Sequence, residues 1–324
     1  MSRTVYELTH CPVCDAPDGL EIADAEAMRA EVQALGAFHE RRLRAGTPPE
    51  YLTDRLAFSQ YPPLRLAQCR SCTHIYRNPR ERREALAEAY QAAGPDEVVL
   101  RELFEVQRAV SRTRLRRLTA LTGHSGRGLE VGSYAGGFLA AAAAAGWTFE
   151  GVDVNPKAQE FAARQGLRVT RGEISDVEAE PAFDVVAIWN TFEQLYDARS
   201  AVVAAGRLLK PGGILAVRFP NGAFYARWRR RLRGPLSDIA IRLLGHNNLL
   251  SFPYRQGFTR SSLAVLLGKC RFEIVAVIGD TLVPVADRWT TVYGALEERL
   301  IKRLQRLLQP GWQAPWVEVY ARKD

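Results

Sequence analysis

Between Arg127 and Phe219 the chain repeats one pattern: a short apolar-rich run, a turn, then a longer amphipathic stretch. The runs Gly128–Val131, Thr148–Asp153, Leu167–Thr170, Asp184–Ile188 and Ile214–Phe219 predict strands. Between them, Phe138–Ala145, Pro156–Gln165 and Arg199–Leu209 predict helices. Strands buried on both faces and alternating with helices imply a parallel sheet with right-handed crossovers. Further on, residues 221–257 read as irregular. Helix Ser261–Leu267, strand Phe272–Val277, a helix over 291–308 and a last strand Trp316–Ala321 follow.

The first part of the chain lacks this alternation. Residues 21–45 predict a helix, with Ala25, Met28, Val32 and Leu35 at helical spacing, and Gly46-Thr47-Pro48-Pro49 ends it. Residues 64–80 predict a short strand and an extended stretch ending at Asn78-Pro79. A basic helix, Leu100–Leu121, carries the apolar stripe Val106, Ala109, Val110, Leu115 and Leu118.

Composition narrows this only a little. A length of 324 residues allows two domains, and 47% hydrophobic with 25% charged residues excludes a largely disordered chain. The apolar run Phe138–Gly146 falls short of the ~20 residues of a spanning helix. Residues 1–4 lead into no apolar signal region, so a cytoplasmic location is expected. The net charge is +8, but only five of the 44 basic residues are lysines. Such an arginine bias weakens the charge as a pointer to nucleic acid or another anionic partner.

Cysteine placement is more informative. Cys11-x-x-Cys14 and Cys69-x-x-Cys72 form two matched knuckles, and two such knuckles complete a tetrahedral structural Zn²⁺ site. The insert between them is far longer than in a compact ribbon, so its helix must loop out and return. His10 and His74 are spare neighbours. Cys270, beside Lys269 and Arg271, reads as an activated thiol or, more simply, as a small core residue.

The second chemical signal is the turn Gly128-Leu-Glu-Val-Gly-Ser-Tyr-Ala-Gly-Gly137, where a buried strand opens through glycines into a helix. Ligands bind at the carboxyl ends of such strands. A dinucleotide and S-adenosylmethionine compete for the site, and Tyr134 in place of a middle glycine departs from the dinucleotide fingerprint. Asp153 ends the second strand, where a carboxylate can accept from both ribose hydroxyls. Asn155-Pro156 caps the next helix. Glu173-Ile174 follows the third strand and could meet an adenine ring.

These pieces in this order resemble a class I S-adenosylmethionine-dependent methyltransferase over about residues 85–324. Its carriers are 129–136, Gly151-Val152-Asp153, Phe183-Asp184-Val185-Val186, residues 189–197 and Leu208-Leu209-Lys210-Pro211-Gly212-Gly213. The chain is also similar to a bacterial subgroup with a cysteine-ligated zinc segment ahead of that domain, whose members often methylate sugars, glycan precursors or other small molecules. The resemblance implies an α/β, Rossmann-like doubly wound seven-stranded sheet of order 3-2-1-4-5-7-6, with a small zinc-ribbon-like domain at residues 1–84 and the catalytic domain at 85–324. It further implies that Gly132, Ser133, Tyr134 and Gly136 cradle the methionine part of the cofactor and Glu130 faces its amino group. Asp153 would hold the ribose, Val154 and Ile174 would sandwich the adenine, and Glu173 would contact its amino group. Asn190 and Thr191 would lie near the sulfonium. Gln194 stands where many relatives carry histidine, which leaves that base missing.

Acceptor candidates fall in 221–257. His246 is a candidate base, against the plainer reading of a loop histidine. Tyr254 and Arg255 could hold a polar or anionic acceptor, and Trp289 and Tyr293 could wall a pocket or sit in the core. Five arginines, Arg227, Arg229, Arg230, Arg231 and Arg233, read as a solvated helix face or an anion contact. Segment 297–308 has leucines on one face and Arg299, Lys302, Arg303 and Arg306 around it, which fits a membrane-surface helix or one packed on its own sheet. The expected acceptor is a small molecule or glycan. An RNA-binding protein or RNA methyltransferase and a non-catalytic cofactor-binding scaffold are the rival expectations.

Overall fold

The computed structural model describes residues 5–48, 64–92, 97–284 and 287–324; Pro49 and the second part of the insert lie outside the described residues. The first part of the chain contains β1 (Tyr6–Glu7), β2 (Gly19–Ala23), α1 (Ala25–Glu40), β3 (Leu66–Cys69), β4 (Ile75–Arg77) and β5 (Arg80–Glu81). Helices α2 (Arg83–Ala92) and α3 (Glu97–Thr122) lead into the alternating region. That region runs β6 (Arg127–Val131), α4 (Gly137–Ala144), β7 (Thr148–Asp153), α5 (Pro156–Arg164), β8 (Val169–Arg171), β9 (Phe183–Trp189), α6 (Ala198–Leu208) and β10 (Leu209–Pro220). After it come α7 (Gly222–Arg229), α8 (Ser237–Gly245), β11 (Gln256–Gly257), α9 (Arg260–Lys269), β12 (Phe272–Asp280), α10 (Val292–Leu308) and β13 (Trp316–Lys323).

Seven strands form one sheet in the order β8-β7-β6-β9-β10-β13-β12, parallel except for β13, which runs antiparallel to both neighbours. Numbered along the chain, this is the expected 3-2-1-4-5-7-6. Both faces are buried because successive residues point opposite ways. Val185, Ala187, Ile214 and Ala216 pack with α3 and α4 residues Leu115, Leu118, Phe138 and Leu139. Val186, Ile188, Leu215 and Val217 pack with α6 and α9 residues Val202, Leu208, Leu263 and Leu266. Gly212 takes a φ of 74°, the left-handed position of the Pro-Gly turn that feeds β10.

The helix expected over 21–45 is corrected at its start. Residues 19–23 pair as a strand with β3, and the helix begins only after Asp24, whose carboxylate accepts from the Ala27 N–H. Tertiary pairing overrides local helical spacing there. The irregular 221–257 is also corrected: it holds α7, α8 and β11. Asn221 caps α7 by accepting from the Ala223 N–H at 3.0 Å.

Strands β2, β3 and β4 form an antiparallel sheet, and β11 adds its fourth strand through Gln256↔Tyr76 and Gly257↔Ile75. One apolar cluster runs from Cys11, Cys69, Cys72 and Tyr76 into Phe192, Phe219 and Phe258. The cysteine-bearing segment and the large sheet therefore share a core.

Candidate active site

The sheet order reverses between β6 and β9, which opens a crevice at their carboxyl ends. The turn after β6 fills it. Gly132, Tyr134 and Gly136 have φ of 69°, 48° and 81°. Tyr134 thus keeps the left-handed backbone that a glycine would take more cheaply. A side chain at Gly132 would strike Thr191.

Asp153 is buried and both its oxygens are engaged. Oδ2 accepts from the Tyr134 N–H and Oδ1 from the Asn155 N–H, each at 2.8 Å. Burial raises its pKa and these two donors oppose the rise. Glu130 is more deeply placed. Its Oε2 is buried without a hydrogen-bond partner, and burial plus the Asp153 charge hold its pKa well above the carboxylate range. The Ser133 hydroxyl is likewise buried without a partner. A cationic or hydrogen-bonding ligand is what such a set lacks.

Asn190, just past β9, is left-handed at φ 57°. Its Oδ1 accepts a short bond from the fully buried Arg218, whose Nε and second terminal nitrogen donate to Asp280 and the Thr281 carbonyl at 2.9 Å. Thr191 donates to the Trp189 carbonyl at 3.3 Å. Next comes Glu193, to which the sequence motifs assign no role. It is 5% exposed, its Oε2 has no partner, and burial, opposed in part by Arg218, raises its pKa to about 7. Its one signal in the sequence is its place before Gln194, where the resemblance leads one to look for histidine.

Helix α2, the segment just before it and the loop 254–255 close one side. Tyr90 of α2 accepts at its carbonyl from the Asn155 side chain at 3.4 Å and donates from its hydroxyl to Gln194 at 3.3 Å. The Arg255 guanidinium lies 5.2 Å from the Tyr254 ring and 6.0 Å from the Tyr90 ring. Glu81 accepts from both Arg77 and Arg255, at 2.9 and 3.0 Å. Arg83 donates to both Glu173 oxygens at 2.9 Å. Val154 is half-buried, whereas Ile174 is packed in the core beside the site.

A family model described as a methyltransferase domain matches residues 80–277. The chain belongs to this methyltransferase family. Together with the strand order, this makes it an S-adenosylmethionine-dependent methyltransferase. No curated protein matches the methyltransferase in sequence. Similar solved structures include geranyl diphosphate C-methyltransferase from Streptomyces coelicolor A3(2), at 13% identity and TM-score 0.48, covering 74% of this chain and 97% of that one. A methyltransferase from Archaeoglobus fulgidus has 18% identity and TM-score 0.45, covering 70% and 100%. One from Thermotoga maritima has 19% identity and TM-score 0.44, covering 69% and 95%.

His246 is not brought to the crevice of the methyltransferase. It is 3% exposed and caps α8, with Nε2 3.2 Å from Glu297 of α10 and its ring 4.9 Å from Phe38 of α1. Burial lowers its pKa to about 4. These surroundings describe a packed histidine in an ion-pair cluster, not a base facing an acceptor. Tyr293 is 63% exposed on α10, and its hydroxyl donates to Glu297 at 3.2 Å. Trp289 accepts at its carbonyl from the Arg44 N–H. Burial raises the Cys270 thiol, the opposite of activation. The arginine cluster is divided: Arg229 pairs with buried Glu31 at 2.7 Å, while Arg231 donates to the Arg227 carbonyl.

Cys11, Cys14, Cys69 and Cys72 meet with all four Sγ within 4.8 Å of one another. Cys11–Cys72 and Cys14–Cys69 stand 3.5 Å apart, far beyond the ~2.05 Å of a disulfide. Bonds of ~2.3 Å to one tetrahedral zinc put sulfurs ~3.8 Å apart. Each knuckle ends in a left-handed residue, Asp15 at 65° and Thr73 at 64°. His10 and His74 are not in the group. His74 is fully buried against Gln256, and burial lowers its pKa to about 3.

Proposed function

We propose that this enzyme methylates a small polar acceptor, a sugar, glycan precursor or related metabolite, held between α2 and the loop 254–255. The observation that carries the reading is the meeting of Tyr90, Tyr254 and Arg255 beside Glu193 and Asn155. It sets an aromatic and cationic wall next to the residue that follows Asp153 by two. S-adenosylmethionine supplies the methyl group when bound. The turn Gly132, Ser133, Tyr134 and Gly136 holds its methionine part, and Asp153 its ribose. Glu130 takes the amino group, whose positive charge offsets the burial and the Asp153 charge that raise the pKa of this carboxyl. Val154 and the edge of Ile174 flank the adenine, and Glu173 reaches it by exchanging Arg83. Asn190 and Thr191 line the transfer path, with Asn190 fixed by Arg218. Where the acceptor is a hydroxyl, Glu193 accepts its proton, in place of His246.

In the same reading, residues 1–84 form a segment stapled by Zn²⁺, and 85–324 form the catalytic domain. Four cysteines leave such a zinc no open position, so its work is structural. The segment acts through β11, which carries residues 256–257 directly after Tyr254 and Arg255.

The test is transfer of labelled methyl groups to sugar nucleotides, lipid-linked sugars and RNA. Label on a sugar-bearing acceptor, weakened by Arg255→Ala, is the expected result. Label on RNA, with salt-dependent RNA binding, would replace this reading with the nucleic-acid one.

A further inference from the structure

Helix α10 is built inside out. Its buried residues are Gly294, Glu298, Lys302 and Gln305. Lys302 is 1% exposed, pairs with Glu298 at 2.5 Å and donates to the Val283 carbonyl at 3.1 Å. Gln305 accepts from the Asn247 side chain at 2.9 Å. At the helix edge, Glu297 gathers Arg42, Arg242 and His246. This polar inner face leaves the apolar one outside: Val292, Tyr293, Leu296, Leu300, Leu304, Leu307 and Leu308 are 45–71% exposed. The leucines recur at helical spacing, one stripe along a helix ~25 Å long. Of the two readings of this helix, the one that packs its leucines on its own sheet does not hold. The Glu298–Lys302 pair occupies the inner side instead.

Charge says what the stripe fits. The other exposed side chains of α10 are Arg299, Arg303 and Arg306, and both of its acids are engaged inward or at the edge. Ile239, one turn before Arg242 on the adjoining α8, adds exposed apolar surface, as does Leu236. A second copy docked on this face would bring three more arginines and no exposed acid of its α10 to pair with them. An anionic bilayer surface instead takes leucines into its acyl boundary and arginines among its head groups. No helix of the described residues is long and apolar enough to cross a membrane, so α10 would lie on the surface. The helix also falls outside the residues matched by the family model.

We propose that α10 docks the protein onto anionic lipid bilayers, independently of the acceptor assignment above. Strand β12 ends at Asp280 beside Trp316, which pairs with Pro220 at the carboxyl end of β10. The chain therefore leaves the sheet for α10 at the same end as the candidate active site.

The test is vesicle co-sedimentation of the full chain, with phosphatidylcholine alone and with about one-third phosphatidylglycerol. Binding is expected on the anionic vesicles, weakened about tenfold or more by Leu300→Glu with Leu304→Glu. Replacing Arg299, Arg303 and Arg306 with glutamine should erase the preference for anionic lipid. Circular dichroism and melting of each variant identify any that fail to fold, and those are replaced by Leu307→Ser with Leu308→Ser. No sedimentation with either vesicle overturns the proposal. So does a dimer, seen by light scattering, that Leu300→Glu dissociates.

Discussion

The cysteine cluster and the glycine turn use the same local device: a tight turn with a left-handed residue. They differ in where their polar atoms point. The four sulfurs face one another within 4.8 Å and form a closed set. The glycine turn ends among Glu130, Ser133 and Glu193, each with a buried oxygen that meets no partner. Leaving such atoms unsatisfied costs ~1–3 kcal/mol each, which accords with the ligand proposed for this turn. In the proposed function the closed set is structural and the open set serves the chemistry.

That contrast predicts unequal responses to substitution. The largest belongs to the closed set. If the four sulfurs hold the proposed Zn²⁺, Cys69→Ser should lose the metal and melt at much lower temperature, a loss on the order of 5 kcal/mol or more. A full zinc complement by metal analysis would remove Cys69 from the ligand set. Next comes Glu193→Gln, which should cut kcat on a hydroxyl acceptor by roughly 10²–10⁴-fold while leaving cofactor affinity unchanged. A base must be deprotonated to work, so the wild-type rate should rise with pH through the Glu193 pKa of about 7 and then level off. The same profile in Glu193→Gln would assign the titration elsewhere. The smallest effect is expected for Asp153→Ala, which should weaken cofactor binding by roughly 10–100-fold with zinc content intact. Unchanged affinity by calorimetry would leave Asp153 holding only the Tyr134 and Asn155 amides.

Much of the large sheet was legible because its strands are apolar runs buried on both faces, and the Pro-Gly turn sets the register of β10. The sequence also placed the cysteine pairs and the glycine turn. What it missed depends on contacts distant in the chain. Residues 21–23 look helical until β3 arrives to pair with them. Two-residue β11 has no local signal, since its partner Tyr76 lies far back in the chain. Periodicity revealed the two-sided character of α10, but not that Glu298 and Lys302 would neutralise each other and turn inward. Glu193 was hidden for the same reason: a carboxylate's burial and its missing partner are facts of packing.

The pairing of β11 with β4 bears on how the gene can be cut. Two halves that look separable at residue 84 are sewn together by backbone. Freed from residues 85–324, the cysteine segment would present a bare strand edge at Ile75–Arg77. Freed from the segment, the catalytic half would carry Gln256–Gly257 as an unpaired thread, and the solvent would reach Phe258 and Phe192. Neither fragment should express as a well-behaved monomer, and a chimera that swaps the front half must bring a strand that Gln256 and Gly257 can still pair with.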